Sequence, residues 1–365
     1  MKIVNSGGKY KVYGSELVIH DELPVGIYNV GFNPMGGFYL EGHSNVEVKE
    51  SNIYGDHEAK LDKVLSTFDR FERNLGLILS GDKGMGKSLF AKMLAIKAME
   101  SGKAVILVDQ FISGISSFLE SIEQEVVVIF DEFDKTFRSL GQDAPNPQDE
   151  LLTLIDGFGT GKKMFVITCN EVSRLNDYFV NRTGRFHFHI RFDYPTASEI
   201  EVYLKKELNS EFYGEISPII NFSLKVDLNY DNLRAIAFEV NSGETFKNAI
   251  KYLNIMNVTR EDYLVTAYSK DDTELGNRKS RLDLFSEKEE VHIEIENQDA
   301  IIRFKSSDIK QDLTSGDMFI VGSDLNIDND PYDNFKEAGE EAPEINISVL
   351  VIRKEAKNNL RYSIK

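Results

Sequence analysis

The chain has 365 residues, enough for two or three domains with proper cores, and its 41% apolar and 28% charged content is that of a soluble globular protein. Its 60 acidic residues outnumber 42 basic ones, a net charge of −18 that disfavours broad coating of nucleic acid. One cysteine, Cys169, excludes an internal disulfide and suits a reducing compartment. No apolar run approaches the roughly 20 residues of a membrane span, and the N-terminus lacks the apolar core of a secretion signal. The expected location is the cytoplasm, of a cell or of an infected host.

Residues 1–52 hold short alternating runs (KYKVYG, ELVIH, GIYNVGF, GFYLEG, NVEVKE) separated by Gly, Pro and Asn, the pattern of a small β-rich N-terminal domain. Over 53–195 the pattern becomes strands alternating with helices. Four of its five strands, GLILS, KAVILVD, VVVIFD, MFVITCN and FHFHIRF, are near-continuous apolar runs, as in a parallel sheet covered on both faces. Residues 196–267 read as helical, opening on Thr196-Ala197-Ser198-Glu199, the spacing of a capping box. Residues 268–290 are charged and poor in core formers, a linker or an exposed helix. Residues 291–365 read as an acidic β-rich C-terminal domain interrupted by an exposed acidic loop.

The first chemistry lies between GLILS and an amphipathic helix. Gly81-Asp82-Lys83-Gly84-Met85-Gly86-Lys87-Ser88 is a complete G-x-x-x-x-G-K-S. Glycines let the backbone fold around a β-phosphate and present N–H groups at a helix N-terminus. Lys87 then pairs with β- and γ-oxygens, and the Ser88 hydroxyl ligates Mg²⁺. These eight residues, with Leu89 in the first helical turn, are the expected nucleotide-binding set. VVVIFDE ends in Asp131 and Glu132 at the carboxyl end of its strand, the end that lies beside the phosphate loop in a parallel sheet. Asp131 is expected in the Mg²⁺ shell beside Ser88, and Glu132 as the group that polarises the attacking water. Asp134 and Lys135 read as members of the solvated helix that follows. MFVITCN ends in Asn170, placed to hydrogen-bond the water or the leaving oxygen, and Cys169 reads as an inert core residue.

Together these residues resemble the ATPase module of AAA+ proteins over about 53–260, and within them the AAA clade proper. GDKGMGKS stands as Walker A, VVVIFDE as Walker B, LLTLIDGF as the helix ending in D-G, ITCN as sensor 1, NRTGRF as the start of the second region of homology, and IRFDYP as the crossing to the lid. The fold class this implies is an α/β P-loop NTPase, a parallel sheet with helices on both faces, plus a helical lid at 196–267, flanked by the two β-rich ends. The resemblance also implies a Mg²⁺-dependent ATPase forming a homo-oligomeric ring, a hexamer in that clade, that rearranges a macromolecule. Arg182 and Arg185 would be fingers acting on the neighbouring subunit's ATP, Tyr54 and Gly55 would touch adenine through the backbone, and Arg234 would be a sensor-2 arginine, which the AAA clade proper usually lacks. Phe111-Ile112-Ser113-Gly114 stands where threading members carry a pore loop, against the plainer reading of a core aromatic capping the strand.

The acidic balance leans toward a protein substrate. A DNA-directed loader, to which Arg234 points, and a nucleotide-gated assembly platform stay open beside it. His187 and His189 alternate on one strand without partners at ligand spacing and read as structural. The series Asp324, Asn326, Asp328, Asp330 imitates a Ca²⁺ loop but lacks its glycine and its final glutamate.

Overall fold

The near-continuous apolar strands form the centre of the first of two units in the computed structural model, Met1–Asp193, the second being Tyr194–Lys365. The structure describes residues 1–6, 8–43, 57–138, 146–156, 161–180, 184–255, 261–283, 290–294, 300–312, 317–331, 336 and 345–354. Among these residues no helix is long and apolar enough to cross a membrane.

In the first unit the strands are β1 (Lys2–Ser6), β2 (Lys9–Tyr13), β3 (Ile27–Asn33), β4 (Gly37–Gly42), β5 (Leu75–Gly81), β6 (Ala104–Val108), β7 (Val126–Phe130), β8 (Lys163–Cys169) and β9 (Phe186–Phe192). The helices are α1 (His57–Arg70), α2 (Lys87–Glu100), α3 (Ile115–Glu120), α4 (Phe133–Thr136) and α5 (Pro147–Asp156). Seven of the strands form one sheet in the order β4-β3-β6-β7-β8-β5-β9. From β6 to β9 every pairing is parallel. Every residue of β5, β7 and β8 is buried, which their lack of alternation requires. α2 turns Phe90, Met93, Leu94 and Ala98 inward, and α5 turns in Leu151, Leu154 and Ile155.

The N-terminal strands differ from expectation. Only β1 and β2 stand apart, paired with each other. β3 joins the large sheet, parallel to β6 through Ile27↔Val105 and Tyr28↔Ile106, and β4 pairs antiparallel outside it. Val30 is buried in the main core, Phe38 and Leu40 pack against it, and Phe38 stacks on Phe118 at 5.2 Å. The hairpin therefore covers the edge that β6 would otherwise expose, and residues 27–42 are not a separate domain.

In the second unit α6 (Ala197–Glu207) begins at the expected capping box: Glu199 N–H donates to Thr196 Oγ1 at 3.3 Å and Thr196 N–H to the Glu199 carboxylate at 2.8 Å. α7 (Ile216–Ser223), α8 (Tyr230–Asn241) and α9 (Phe246–Ala249) follow, burying Ile219, Leu233, Ile236 and Val240. The β region then starts earlier than the sequence suggests. β10 (Glu261–Tyr268) falls in the stretch read as helical, and β11 (Glu274–Leu282) in the stretch read as a linker. The two pair antiparallel. Beyond them lie β12 (Glu290–Glu294), β13 (Ile301–Lys305), β14 (Lys310–Gln311), β15 (Met318–Val321), β16 (Asn326–Asp328) and β17 (Val349–Lys354), in sheets ordered β11-β10-β17-β15-β14 and β12-β13-β16. One core joins both sheets, with Tyr263, Val265, Ile293, Ile302, Phe304, Ile320, Leu350 and Ile352 buried and Leu224 of the helical region packed against it. β11 alternates exposed and half-buried residues as an edge strand, which explains its charged composition.

Because β10 lies between β11 and β17, a cut at 284 strips partners from Tyr263 and Val265. Each apolar side chain so exposed costs about 1.5–3 kcal/mol. A chain ending at residue 284 should be less soluble and unfold at lower temperature than one ending at 255, as measured by sedimentation and thermal circular dichroism. Equal behaviour of the two would contradict the placement of β10.

Candidate functional site

β5 turns into α2 through the phosphate loop. Gly81 has φ +148°, and a Cβ there would lie 2.2 Å from the Phe192 carbonyl oxygen, so β9 approaches this closely only beside glycine. Gly86 caps α2 at φ +95° with no side-chain hydrogen bond, leaving the first N–H groups of a 14-residue helix to the loop. Lys87 is buried, and its Nζ donates to the carbonyls of Gly81 at 2.6 Å and Asp82 at 2.8 Å. Burial lowers its pKa, against the opposing pull of Cys169, Asp82, Asp134 and Asp131. Met85 is buried, Asp82, Gly84, Gly86 and Leu89 are half-buried, and Lys83 and Ser88 are exposed.

The sheet order sets β8 between β7 and β5, so the acidic pair stands one strand away from the loop. Asp131 and Glu132 are both exposed. Glu132 adopts left-handed backbone, φ 47° and ψ 46°, a conformation that costs a non-glycine residue about 1–2 kcal/mol. Two contacts hold it. Its N–H donates to Thr168 Oγ1 at 2.8 Å, and its Oε1 takes a hydrogen bond from Lys135 Nζ at 2.5 Å. That bond, with smaller help from Lys83 and Lys87, holds the carboxyl below its usual pKa. Thr168 Oγ1 in turn donates to Asp131 Oδ1 at 2.6 Å.

Asp134 and Lys135 are thus not idle residues of a solvated helix. Asp134 is buried and accepts the N–H groups of Asn170 and Glu171 at 3.2 and 3.3 Å, pinning the chain where β8 ends. Asn170 is half-buried, and its side-chain amide makes no hydrogen bond among the described residues. Cys169 is buried, and burial pushes its thiol up to about 12, in keeping with an inert core role. The sequence offered one signal for Thr168, a hydroxyl in an otherwise apolar strand. For Asp134 and Lys135 it offered none.

Of the two arginines in NRTGRF, Arg182 lies outside the described residues, as do Tyr54 and Gly55. Arg185 is engaged within its own chain. Its Nε and Nη2 donate to the two carboxylate oxygens of Asp156, and its Nη1 to the Tyr178 carbonyl at 3.3 Å. The acid at the end of α5 thus holds it in an ion pair within the chain. Near the start of α1, His57, Phe90 and Phe192 group their rings at 5.6–5.7 Å.

Phe111 is half-buried and packs edge-to-face on Phe137 at 5.5 Å, the plainer of its two readings. Arg234, in the second unit, is exposed on α8, 3.9 Å from Asp231 and hydrogen-bonded with Tyr203. His189 bonds Ser80 at 2.7 Å, and His187 stacks edge-on against Phe71. Asp324 and Asp328 are paired with Lys310 and Arg303. No group of three or more potential metal ligands of the His, Cys, Asp and Glu type occurs among the described residues.

The assembled site offers a helix N-terminus and a buried lysine for phosphate. It offers two exposed oxygen donors, Ser88 and Asp131, of the hard type that suits Mg²⁺, and a carboxylate held ionised for water. Residues 77–194 match the family described as "ATPase family associated with various cellular activities (AAA)". The chain is similar to the ATP-dependent zinc metalloprotease FtsH of Parabacteroides distasonis, 24% identical over 201 residues, which are 48% of this chain and 29% of that protein. It is similar to an AAA ATPase forming ring-shaped complexes from Corynebacterium jeikeium, 26% identical over 157 residues, 37% of this chain and 30% of the relative. It is also similar to the mitochondrial inner membrane m-AAA protease component YTA10 of Saccharomyces cerevisiae, 25% identical over 203 residues, 47% of this chain and 26% of the relative. Each match thus spans less than a third of the relative's own length. With loop, acidic pair and strand-end asparagine in this order on the sheet, residues 77–194 form a domain that matches the AAA ATPase family, and the chain is similar there to ATPases of the AAA clade.

Proposed function

We propose that this chain binds ATP with Mg²⁺, hydrolyses it within a homo-oligomeric ring, and uses the cycle to rearrange a protein substrate. The observation that carries the reading is the placement of Lys87 and the α2 N-terminus one strand away from Asp131 and Glu132. The α2 N–H groups and Lys87 take the β- and γ-phosphates, in the manner of phosphate loops. Ser88 and Asp131 fit Mg²⁺ by donor type and would hold it, and the ion when bound would neutralise charge on the phosphates. Glu132, held ionised beside Lys135, orients water toward the γ-phosphate. Asn170, at the end of β8, would hold that water or the leaving oxygen through its side-chain amide, which makes no hydrogen bond among the described residues. Arg182 is the arginine that reaches a neighbour's nucleotide, whereas Arg185 is tied to Asp156 of its own chain.

The ring rests on that arginine and on the similarity to a ring-forming ATPase; the protein substrate rests on the acidic balance and on the similarity to FtsH-type ATPases. The 365 residues contain no H-E-x-x-H sequence, the helical pair by which zinc peptidases hold their metal.

Two sets of variants test the reading. Glu132→Gln should bind ATP normally and hydrolyse it at least about 100-fold more slowly, whereas Lys87→Ala should lose binding itself, because it removes a charge from the phosphates. Equilibrium binding of a fluorescent ATP analogue and steady-state turnover separate the two; equal loss of affinity in both variants would refute the roles. Arg182→Ala and Lys87→Ala, each nearly inactive, should regain ATPase activity when mixed. Loss of a finger costs about 10³- to 10⁵-fold in related phosphoryl-transfer systems, so a minority of rescued sites is visible. If the subunits are shown to exchange and the mixture is no more active than its parts, Arg182 does not act across an interface.

A further inference from the structure

β8 runs Lys163-Met164-Phe165-Val166-Ile167-Thr168-Cys169, and Thr168 is its one hydroxyl, 1% exposed. A hydroxyl in such a strand is unfavourable unless fully hydrogen-bonded. Both of its bonds go to the acidic pair that follows the neighbouring strand β7: it accepts the Glu132 N–H and donates to Asp131 Oδ1. The directions are fixed by chemistry. A peptide N–H can only donate, so the hydroxyl's single proton is committed to Asp131.

We propose that Thr168 is the positioning residue of the catalytic acidic pair, one hydroxyl that sets the rotamer of Asp131 and the backbone turn at Glu132 together. The bond to Oδ1 turns one face of the Asp131 carboxylate toward β8 and leaves Oδ2 for the cation. The bond from the Glu132 N–H holds the peptide plane in the orientation its left-handed φ and ψ require. Without the hydroxyl, the peptide is released to the commoner right-handed region, and the Glu132 side chain leaves along a different vector. The role is distinct from that of Asn170, two positions on, whose amide serves the nucleotide itself. It also links cation binding through Asp131 and water activation through Glu132 to one hydroxyl, which donates to the first and accepts from the second. The proposal rests on the ATPase reading given above.

The test compares full-length variants in two pairs that differ only in the hydroxyl, wild type with Thr168→Val and Thr168→Ser with Thr168→Ala. The second pair shares the loss of the methyl group, so it decides the matter if the valine variant misfolds. The hydroxyl-lacking member should show a kcat about 10- to 100-fold lower, the scale of one hydrogen bond to a charged group, with KM for ATP changed less than about 3-fold. Thr168→Ser should retain most of the wild-type kcat. Binding of a fluorescent ATP analogue supplies a readout apart from turnover. In EDTA the affinities within a pair should agree, whereas the half-saturating MgCl₂ concentration should rise at least about 5-fold without the hydroxyl. Equal kcat and equal MgCl₂ dependence within a pair overturn the positioning role. So does an equal loss of affinity with and without MgCl₂, which marks a packing defect alone. If instead Glu132→Gln turns over like wild type, the ATPase reading itself fails, and that result is distinct from a silent Thr168→Val.

Discussion

Parallel pairing between β7, β8 and β5 is the constraint on which the site depends. The register Phe130↔Ile167 and Ser80↔Cys169 brings three strands to their carboxyl ends at nearly the same level. Each strand ends in a different kind of chemistry: a glycine loop, an acidic pair and an amide. A one-residue slip of β8 would turn Thr168 to the opposite face of the sheet and leave two hydrogen bonds unmade. The buried apolar runs fix that register through packing on both faces, so the hydrophobic core and the catalytic geometry are set by the same side chains.

The polar groups at this edge form a connected set. Thr168 joins β8 to Asp131 and Glu132, Asp134 joins α4 to the chain leaving β8, and Lys135 holds the side chain of the residue that Thr168 holds by its backbone. Each contact restrains a neighbour of another contact, the condition under which a strained residue such as Glu132 persists. α4 is one turn long, and its second residue, Asp134, ties that turn to the end of β8.

Much of this was legible in the sequence because it rests on local order. The phosphate loop, the acidic pair and the strand-end asparagine each follow an apolar run, and a parallel sheet places such ends together whatever the details of packing. The capping box at Thr196 is likewise complete within four residues. What was not legible depends on partners distant in the chain. Alternation in β3 and β4 shows that one face is buried, not against what, so a hairpin capping β6 and one in its own domain read alike. β11 is charged because it lies at an edge, and charge without apolar neighbours read as a linker. Arg185 reads as a finger in the sequence, where nothing in NRTGRF reveals that Asp156, 29 residues earlier, returns to meet it.

Cys169 has a consequence of a different kind. It is the chain's one thiol, it is buried at the end of β8, and burial pushes its pKa up to about 12, which keeps it in the unreactive thiol form near neutral pH. A cysteine introduced on the surface, with an ordinary pKa near 8.5, would therefore carry nearly all the reactive thiolate in the molecule. Dyes, spin labels or crosslinkers can be placed at a chosen position against a silent background, with the native residue left in place and the strand beside the nucleotide undisturbed.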